Sequence, residues 1–213
     1  MIRIWGRKSS SNVQAVMWCV GELGLEYERT DAGFTYGVVD TPEFLAMNPN
    51  GLVPVLIDEG LEPLWESAAI IRYLAARYGD DDFWPKDAVA RAPVDKWAEW
   101  AKATFSPGFT VPIFWRVVRT APKDQDPAAI AAAVMALDGK LDIAEAQLSR
   151  HPFLAGETFT PADIQFGHLL YRYFTIDIER RPRPVLERYY KTLMERPAFQ
   201  EHVMVSYEEL RAK

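Results

Sequence analysis

The chain has 213 residues, and 49% of them are hydrophobic, which is enough to build one large or two small domains around an apolar core. The formal net charge of −6 argues against nucleic acid as a partner, because binding to a phosphate backbone requires clustered Lys and Arg. A single cysteine excludes an internal disulfide framework, and no apolar run approaches the length of a membrane span, so we expect a cytoplasmic protein that does not bind membranes.

The first part of the chain alternates short strands with helices. Its apolar periodicity and its turn residues predict, in chain order, a strand at 2–6, a helix at 13–23, a strand at 25–31, a short helix opened by Thr41 and Pro42, a hairpin of strands at 53–58 and 62–65, and a helix from about Ser67 to Tyr78. This order, β-α-β-α-β-β-α, is that of a thioredoxin-like domain.

The dipeptide Val53-Pro54 stands at the start of an apolar run that otherwise has the pattern of a strand. Proline has no backbone N–H and therefore belongs at the first residue of a strand or in a turn. In this context we predict a cis Val53–Pro54 bond, which leaves the N–H and C=O groups of Val53 facing outward. Such an edge can pair with an extended peptide.

Ser67 stands where the second strand of the hairpin gives way to a helix, and serine is a favourable N-cap residue. The free N–H groups of a first helical turn can bind an anion such as a carboxylate. A peptide edge beside a carboxylate site suggests a small acidic peptide as the ligand.

The sequence N-P-N-G-L-V-P-V-L at 48–56, followed by E-S-A-A-I-I-R-Y-L at 66–74, resembles the glutathione-binding half of the cytosolic glutathione transferases. The resemblance covers essentially the whole chain. It implies glutathione as a co-substrate and a glutathione-binding set formed by Ser11, Leu52, Val53, Pro54, Glu66 and Ser67. It also implies a homodimer.

Beyond residue 87 the pattern is helical throughout. We therefore predict an α/β plus all-α fold, with a thioredoxin-like domain at 1–78, an acidic linker at 79–87 and an all-helical domain at 88–213. Within the helical part, Thr160 and Asp163 form a capping-box pattern, so Asp163 is expected to stabilise a helix start.

The chemistry predicted for glutathione depends on ionisation of its thiol. A thiol with a pKa of about 8.5 is only about 3% ionised at pH 7, and lowering that pKa by about two units requires roughly 2.7 kcal/mol of preferential thiolate stabilisation. A hydroxyl donor together with free N–H groups at a helix start supplies such stabilisation, and the segment at 9–13, S-S-S-N-V, offers both.

The serine segment is similar to the S-T-N-V loop of the phi-type transferases, whose first serine stabilises the thiolate. This resemblance assigns the catalytic role to Ser10, supported by Asn12, while leaving open whether Ser9 or Ser11 contacts the sulfur instead. The alternative is that these residues only cap the first helix. No cysteine occupies the loop, and Cys19 within the first helix is expected to be an inert core residue.

The range 33–50 contains no Lys, Arg or His, although several transferase classes use a cation there to hold the glycyl carboxylate of glutathione. Arg7, Lys8 or a residue of the helical domain is left for that role. The electrophile pocket is expected between the domains, with Phe105, Phe109 and Trp115 lining it. Arg116 and Arg119 follow, facing either an anionic substrate or water.

Metal and nucleotide cofactors are not predicted, because the three histidines are scattered and the glycines form no phosphate-binding pattern. The preferred function is that of a glutathione transferase, in which a Ser10-stabilised thiolate attacks a small hydrophobic electrophile. The alternatives are a non-catalytic protein that binds glutathione or an apolar ligand, and a glutathione-dependent peroxidase or reductase.

Overall fold

The computed structural model describes residues 1–212. Its N-terminal part contains a single four-stranded sheet, formed by β1 (Ile2–Trp5), β2 (Tyr27–Thr30), β3 (Val55–Ile57) and β4 (Leu64–Trp65). The strand order is β2-β1-β3-β4, with β1 parallel to β2 and antiparallel pairing across the other two neighbours. Three helices complete this part: α1 (Ser11–Glu22), α2 (Pro42–Met47) and α3 (Ser67–Tyr78). The predicted thioredoxin-like order is confirmed, and α3 has the predicted bounds.

The strands are shorter than their apolar runs. The pairing of β3 with β1 begins at Val55, so Val53 and Pro54 lie outside the ladder. Pro54 cannot donate a hydrogen bond, and the bond that precedes it is cis, as predicted. The chain therefore enters the sheet only after the proline, which leaves the preceding residues free for another role.

The C-terminal part is helical. Its α-helices are α4 (Ala88–Trp100), α5 (Ser106–Phe109), α6 (Arg116–Val118), α7 (Pro127–Leu148), α8 (Pro161–Gly167), α9 (Leu170–Thr175), α10 (Pro184–Met194) and α11 (Pro197–His202). The division at 78 and 87 remains a prediction, although α3 and α4 flank that linker, and Lys213 lies outside the described residues. Across 1–212, no helix combines the length and apolarity needed to cross a membrane.

Two π-helical stretches, Ala101–Phe105 and Thr110–Trp115, interrupt the path from α4 to α6. Pro107 and Pro112 stand in this segment, and a proline inside a helix removes one i→i−4 hydrogen bond. Shifts to i→i−5 bonding are one way in which a helix absorbs such an interruption, and they often occur at functional sites.

Both parts of the chain share one apolar core. Trp18 of α1 is completely buried, and its ring centroid lies 4.8 Å from that of Phe199 on α11. Gly167 of α8 allows this close approach, because a Cβ atom there would come within 3.0 Å of the Trp18 ring and 2.5 Å of Leu193. Gly167 therefore allows the helical part of the chain to pack directly against α1.

The capping box predicted at the start of α8 is present. The carboxylate of Asp163 accepts hydrogen bonds from the N–H groups of Thr160 and Leu154, both at 2.9 Å, and from the hydroxyl of Tyr189 at 2.8 Å. Burial raises the pKa of Asp163 to about 6, and these donors oppose that shift. Asp163 therefore has the structural role that its sequence pattern indicated.

Candidate active site

A cleft of about 140 Å³ lies beside the cis proline. Its lining contains most of the predicted glutathione-binding residues together with two asparagines that the sequence analysis missed, and consists of Asn12, Asn48, Asn50, Leu52, Val53, Pro54, Glu66 and Ser67. Within residues 1–212, neither the N–H nor the C=O of Val53 is hydrogen-bonded. The cleft therefore offers one unpaired backbone donor and one unpaired acceptor to an extended ligand.

Asn48 fixes the loop that carries this edge. It is buried, its side-chain amide donates to the carbonyl of Leu52 at 2.8 Å, and its Oδ1 accepts from the backbone N–H of Asn50 at 3.1 Å. The N-P-N-G pattern signals a turn, but the contact across to Leu52 becomes evident only in the folded chain.

Ser67 does not cap α3, contrary to the expectation from sequence. Glu66 occupies the N-cap position with φ of 71°, and Ser67 is the first helical residue. Because Glu66 adopts this left-handed conformation, the serine hydroxyl points toward the other side of the cleft, where it donates to Oδ1 of Asn12 at 3.3 Å. The side chains of Asn12 and Ser67 are thereby joined.

Lys102 completes this group from the helical part of the chain. Its Nζ donates to Oδ1 of Asn12 at 3.0 Å and to Oγ of Ser67 at 2.9 Å. Burial lowers the pKa of Lys102, while the carboxylates of Glu66 and Glu99 raise it. The sequence analysis missed this residue, and a lone cation among the aromatic residues of 97–115 was its only signal.

The three consecutive serines differ in their surroundings. Ser9 is occupied, since its hydroxyl donates to Oε1 of Glu209 and its carbonyl accepts from the guanidinium of Arg172 at 2.5 Å. Ser10 occupies the N-cap position of α1 without a side-chain capping bond. Among the described residues, the hydroxyls of Ser10 and Ser11 have no hydrogen-bond partner in the chain. Ser10 is 9% exposed, whereas Ser11 is more open.

Arg172 of α9 holds the serine loop in place. Besides Ser9, it contacts Oε1 of Gln14 at 3.3 Å, and its guanidinium lies 4.5 Å from the ring centroid of Phe114. Complete burial, together with the nearby charge of Arg7, lowers the pKa of Arg172 to about 9. No local sequence pattern indicated this contact.

Two of the three aromatic residues predicted to line the electrophile pocket lie in the core. Phe105 and Phe109 are both 0% exposed and stack on each other with ring centroids 6.2 Å apart. Their prediction as pocket residues was wrong, because the helical segment turns both rings toward the apolar interior. Trp115, by contrast, is 41% exposed and remains a candidate for the pocket.

Within residues 1–212, no group of three or more His, Cys, Asp or Glu side chains is arranged to hold a metal ion. Cys19 is completely buried, and burial raises the pKa of its thiol. A buried neutral thiol is not a nucleophile, so thiol–disulfide exchange through Cys19 is disfavoured.

The chain matches two family models. Residues 2–76 match the N-terminal domain of glutathione S-transferase, and residues 100–197 match the C-terminal domain of the same family.

Individual relatives extend over nearly the whole chain. Glutathione S-transferase GstB of Escherichia coli is 41% identical over 206 residues, covering 96% of this chain and 99% of the relative. Glutathione S-transferase 3 of Zea mays is 35% identical, covering 95% of this chain and 93% of the relative. A crystal structure of the theta class glutathione S-transferase from Xanthomonas axonopodis pv. citri with glutathione bound has a TM-score of 0.91 and 43% identity, covering 97% of this chain and 98% of that one.

Proposed function

Because the chain belongs to the glutathione S-transferase family, we propose that it binds glutathione in the cleft beside Val53 and activates the glutathione thiol with the hydroxyl of Ser10. The family is one of enzymes, and this chain is a glutathione transferase. The proposal concerns which residues act and which electrophile they act on.

The state of the Ser10 hydroxyl is the single observation that supports this role best. Ser10 stands at the start of α1 with an uncommitted hydroxyl, whereas the hydroxyl of Ser9 is engaged by Glu209. An O–H donor beside the free N–H groups of a helix start stabilises a thiolate more than a thiol. The bound thiol therefore loses its proton to solvent more readily.

The cleft positions the thiol as well as activating it. The backbone of Val53 pairs with the cysteinyl unit, with Leu52 and Pro54 on either side. The first turn of α3, from Glu66 and Ser67, receives the γ-glutamyl group. Asn12 supports the sulfur site through its bond to Ser67. We include Ser11, the first residue of α1, in the glutathione-binding set as well.

The reaction follows from this arrangement. The thiolate sulfur forms a bond to the electrophilic carbon, and the leaving group departs with the electrons of the bond that breaks. Holding both reactants in one cleft removes much of the entropic cost of their encounter. We place the small apolar electrophile between the two parts of the chain, beside Trp115, whose exposed ring offers apolar contact area.

Substitution of Ser10 by alanine tests the proposal. The pKa of the bound thiol, followed by thiolate absorbance against pH, should rise by about two units, and kcat/KM at pH 7 with an aromatic halide should fall about 20-fold. Ser9→Ala is the matched control, because it removes a neighbouring hydroxyl that Glu209 already occupies.

An unchanged thiol pKa in Ser10→Ala would transfer the role to Ser11 or to the helix start alone. Glutathione binding without turnover across a broad electrophile panel would favour a non-catalytic binding protein.

The assembly and location belong to the same proposal. We expect a two-fold homodimer in the cytoplasm, as family membership implies. Light scattering on the purified chain decides the oligomeric state, and a mass near 24.3 kDa would contradict the dimer.

A further inference from the structure

The side chain of Phe34 contacts two guanidinium groups. The residue before it, Gly33, lies near Val53 of the cleft, because a Cβ atom at Gly33 would be 3.6 Å from the Val53 side chain. The centre of the Arg7 guanidinium is 5.4 Å from the Phe34 ring centroid, and that of Arg119 is 5.6 Å away. Arg7 belongs to the serine loop, since its carbonyl accepts from the N–H of Ser10 at 3.2 Å. Arg119 immediately follows α6, so the two parts of the chain meet here.

Phe34 is presented to solvent by an unusual backbone conformation. Its φ is 57°, after Gly33 with φ of 80°, and its ring is 44% exposed. Phenylalanine rarely adopts positive φ, and such conformations often occur where a loop is shaped for a ligand. Arg7 fits beneath this loop because Gly33 has no side chain: a Cβ atom there would lie 3.2 Å from Nη1 of Arg7.

The positive charge of the two arginines is only partly balanced. Within residues 1–212, neither Arg7 nor Arg119 forms an ion pair, and Nε of Arg7 is buried without a hydrogen-bond partner. Burial lowers the pKa of Arg7; Glu209 opposes the shift and Arg119 adds to it. The carboxylate of Glu209 is already engaged by the hydroxyl of Ser9. In a chain with a net charge of −6, this is a local excess of positive charge.

We propose that Arg7 and Arg119 bind the carboxylate of an aromatic electrophile whose ring packs against Phe34 and Trp115. Guanidinium groups form strong, directional hydrogen bonds with carboxylates. The aromatic contact is available because the Trp115 ring is partly exposed and lies 4.6 Å from the Arg119 guanidinium. The inference rests on the proposed function and narrows its substrate class from small apolar electrophiles to anionic aromatic ones.

The glycyl carboxylate of glutathione is the other anion that could occupy this position. We favour the electrophile for two reasons. Trp115 and Arg119 belong to the helical part of the chain, whereas the lining of the tripeptide cleft comes from residues 12–67. A glycyl group also has no apolar surface to place against the two aromatic rings.

A matched pair of aryl halides tests the inference. With 4-chloro-3-nitrobenzoate, the thiolate sulfur bonds to the ring carbon that carries chlorine, chloride leaves with the electrons of the broken bond, and the thiol proton goes to water. The neutral partner, 4-chloro-3-nitrobenzamide, reacts in the same way. Each enzymatic rate is divided by the uncatalysed rate of the same electrophile, so that only recognition of the charge remains.

The ratio of enzymatic to uncatalysed rate is expected to be at least about 10-fold greater for the benzoate than for the benzamide. This factor corresponds to a free-energy difference of about 1.4 kcal/mol. Arg119→Gln should reduce that preference about 10-fold. Arg116→Gln is the matched control, because Arg116 is the first residue of α6, is also exposed and, among the described residues, forms no cation–π contact with either aromatic ring. It should retain the preference of the parent protein.

Three outcomes would overturn the inference. The first is equal enhancement of both electrophiles, which leaves the transferase function intact. The second is a raised KM for glutathione in Arg119→Gln with an unchanged benzoate preference, which assigns the arginines to the glycyl carboxylate. If neither electrophile reacts, the proposed transferase function fails, but the inference about the arginines can still be tested. Calorimetric titration of the glutathione-saturated protein with 3-nitrobenzoate and 3-nitrobenzamide then tests it by binding. Equal affinity for the two compounds is the third outcome that would overturn the inference.

Discussion

Lys102 is the residue through which the helical part of the chain reaches the tripeptide cleft. Its ammonium group bonds to Asn12 and Ser67, and it lies close enough to Glu66 for the carboxylate to raise its pKa against the effect of burial. A charge-assisted bond in a partly buried position is stronger than one between neutral groups. Lys102 therefore orients two side chains at the end of the cleft where we propose that the γ-glutamyl group binds.

We predict that Lys102→Met weakens glutathione binding about 10-fold. Loss of the charge-assisted contacts to Asn12 and Ser67 should reduce the binding free energy by about 1.4 kcal/mol. Isothermal titration calorimetry with glutathione measures the effect. Lys86→Met, which removes an exposed lysine outside the cleft, is the control. If the Kd of Lys102→Met equals that of the parent chain, the lysine has no part in the site.

The helix starts predicted at Thr41 and at Thr160 are present, whereas the cap expected at Ser67 is not. Thr41 accepts a hydrogen bond from the N–H of Phe44 at 3.3 Å, and Asp126 accepts one from Ala129 at 3.0 Å. The box at α8 differs from these caps because Asp163 is buried and also bonds outside its own turn, to Leu154 and Tyr189. A cap that joins separate segments contributes more than an exposed one.

Two alanine substitutions compare these caps. Asp163→Ala should lower the free energy of unfolding by at least about 3 kcal/mol, because it leaves several buried donors unpaired. Asp126→Ala removes an exposed cap and should cost about 1 kcal/mol. Urea denaturation monitored by circular dichroism measures both, and similar losses in the two variants would contradict the role given to burial.

At the scale of the whole molecule, the two parts of the chain behave as one packed body. The apolar core is continuous from β1 to the C-terminal segment, and Arg196 bonds to Glu22 of α1 at 2.6 and 2.8 Å. Arg172 likewise joins α9 to the serine loop. Neither part buries its apolar face alone, so each depends on the other for stability.

We therefore predict a single cooperative unfolding transition. Tryptophan fluorescence and far-ultraviolet circular dichroism should give the same midpoint in urea, since loss of either part exposes the shared core. Separate midpoints for the two probes would show that the parts unfold independently.

The sequence by itself determined the features that depend on adjacent residues. The thioredoxin-like order, the bounds of α3, the cis bond before Pro54 and the capping box at Asp163 were predicted because each depends on a few neighbouring positions. The motif at 48–56 and 66–74 likewise indicated the family, which the comparisons confirm.

Only the tertiary structure decided the contacts between distant residues. Asn12 and Lys102 are 90 positions apart, and Ser9 and Arg172 are 163 apart, so no local pattern could reveal either contact. Helical spacing did not show which aromatic rings turn inward, and Phe105 proved to be core while Trp115 is exposed. The physical reason is that burial and charge at a position depend on what the folded chain packs against it.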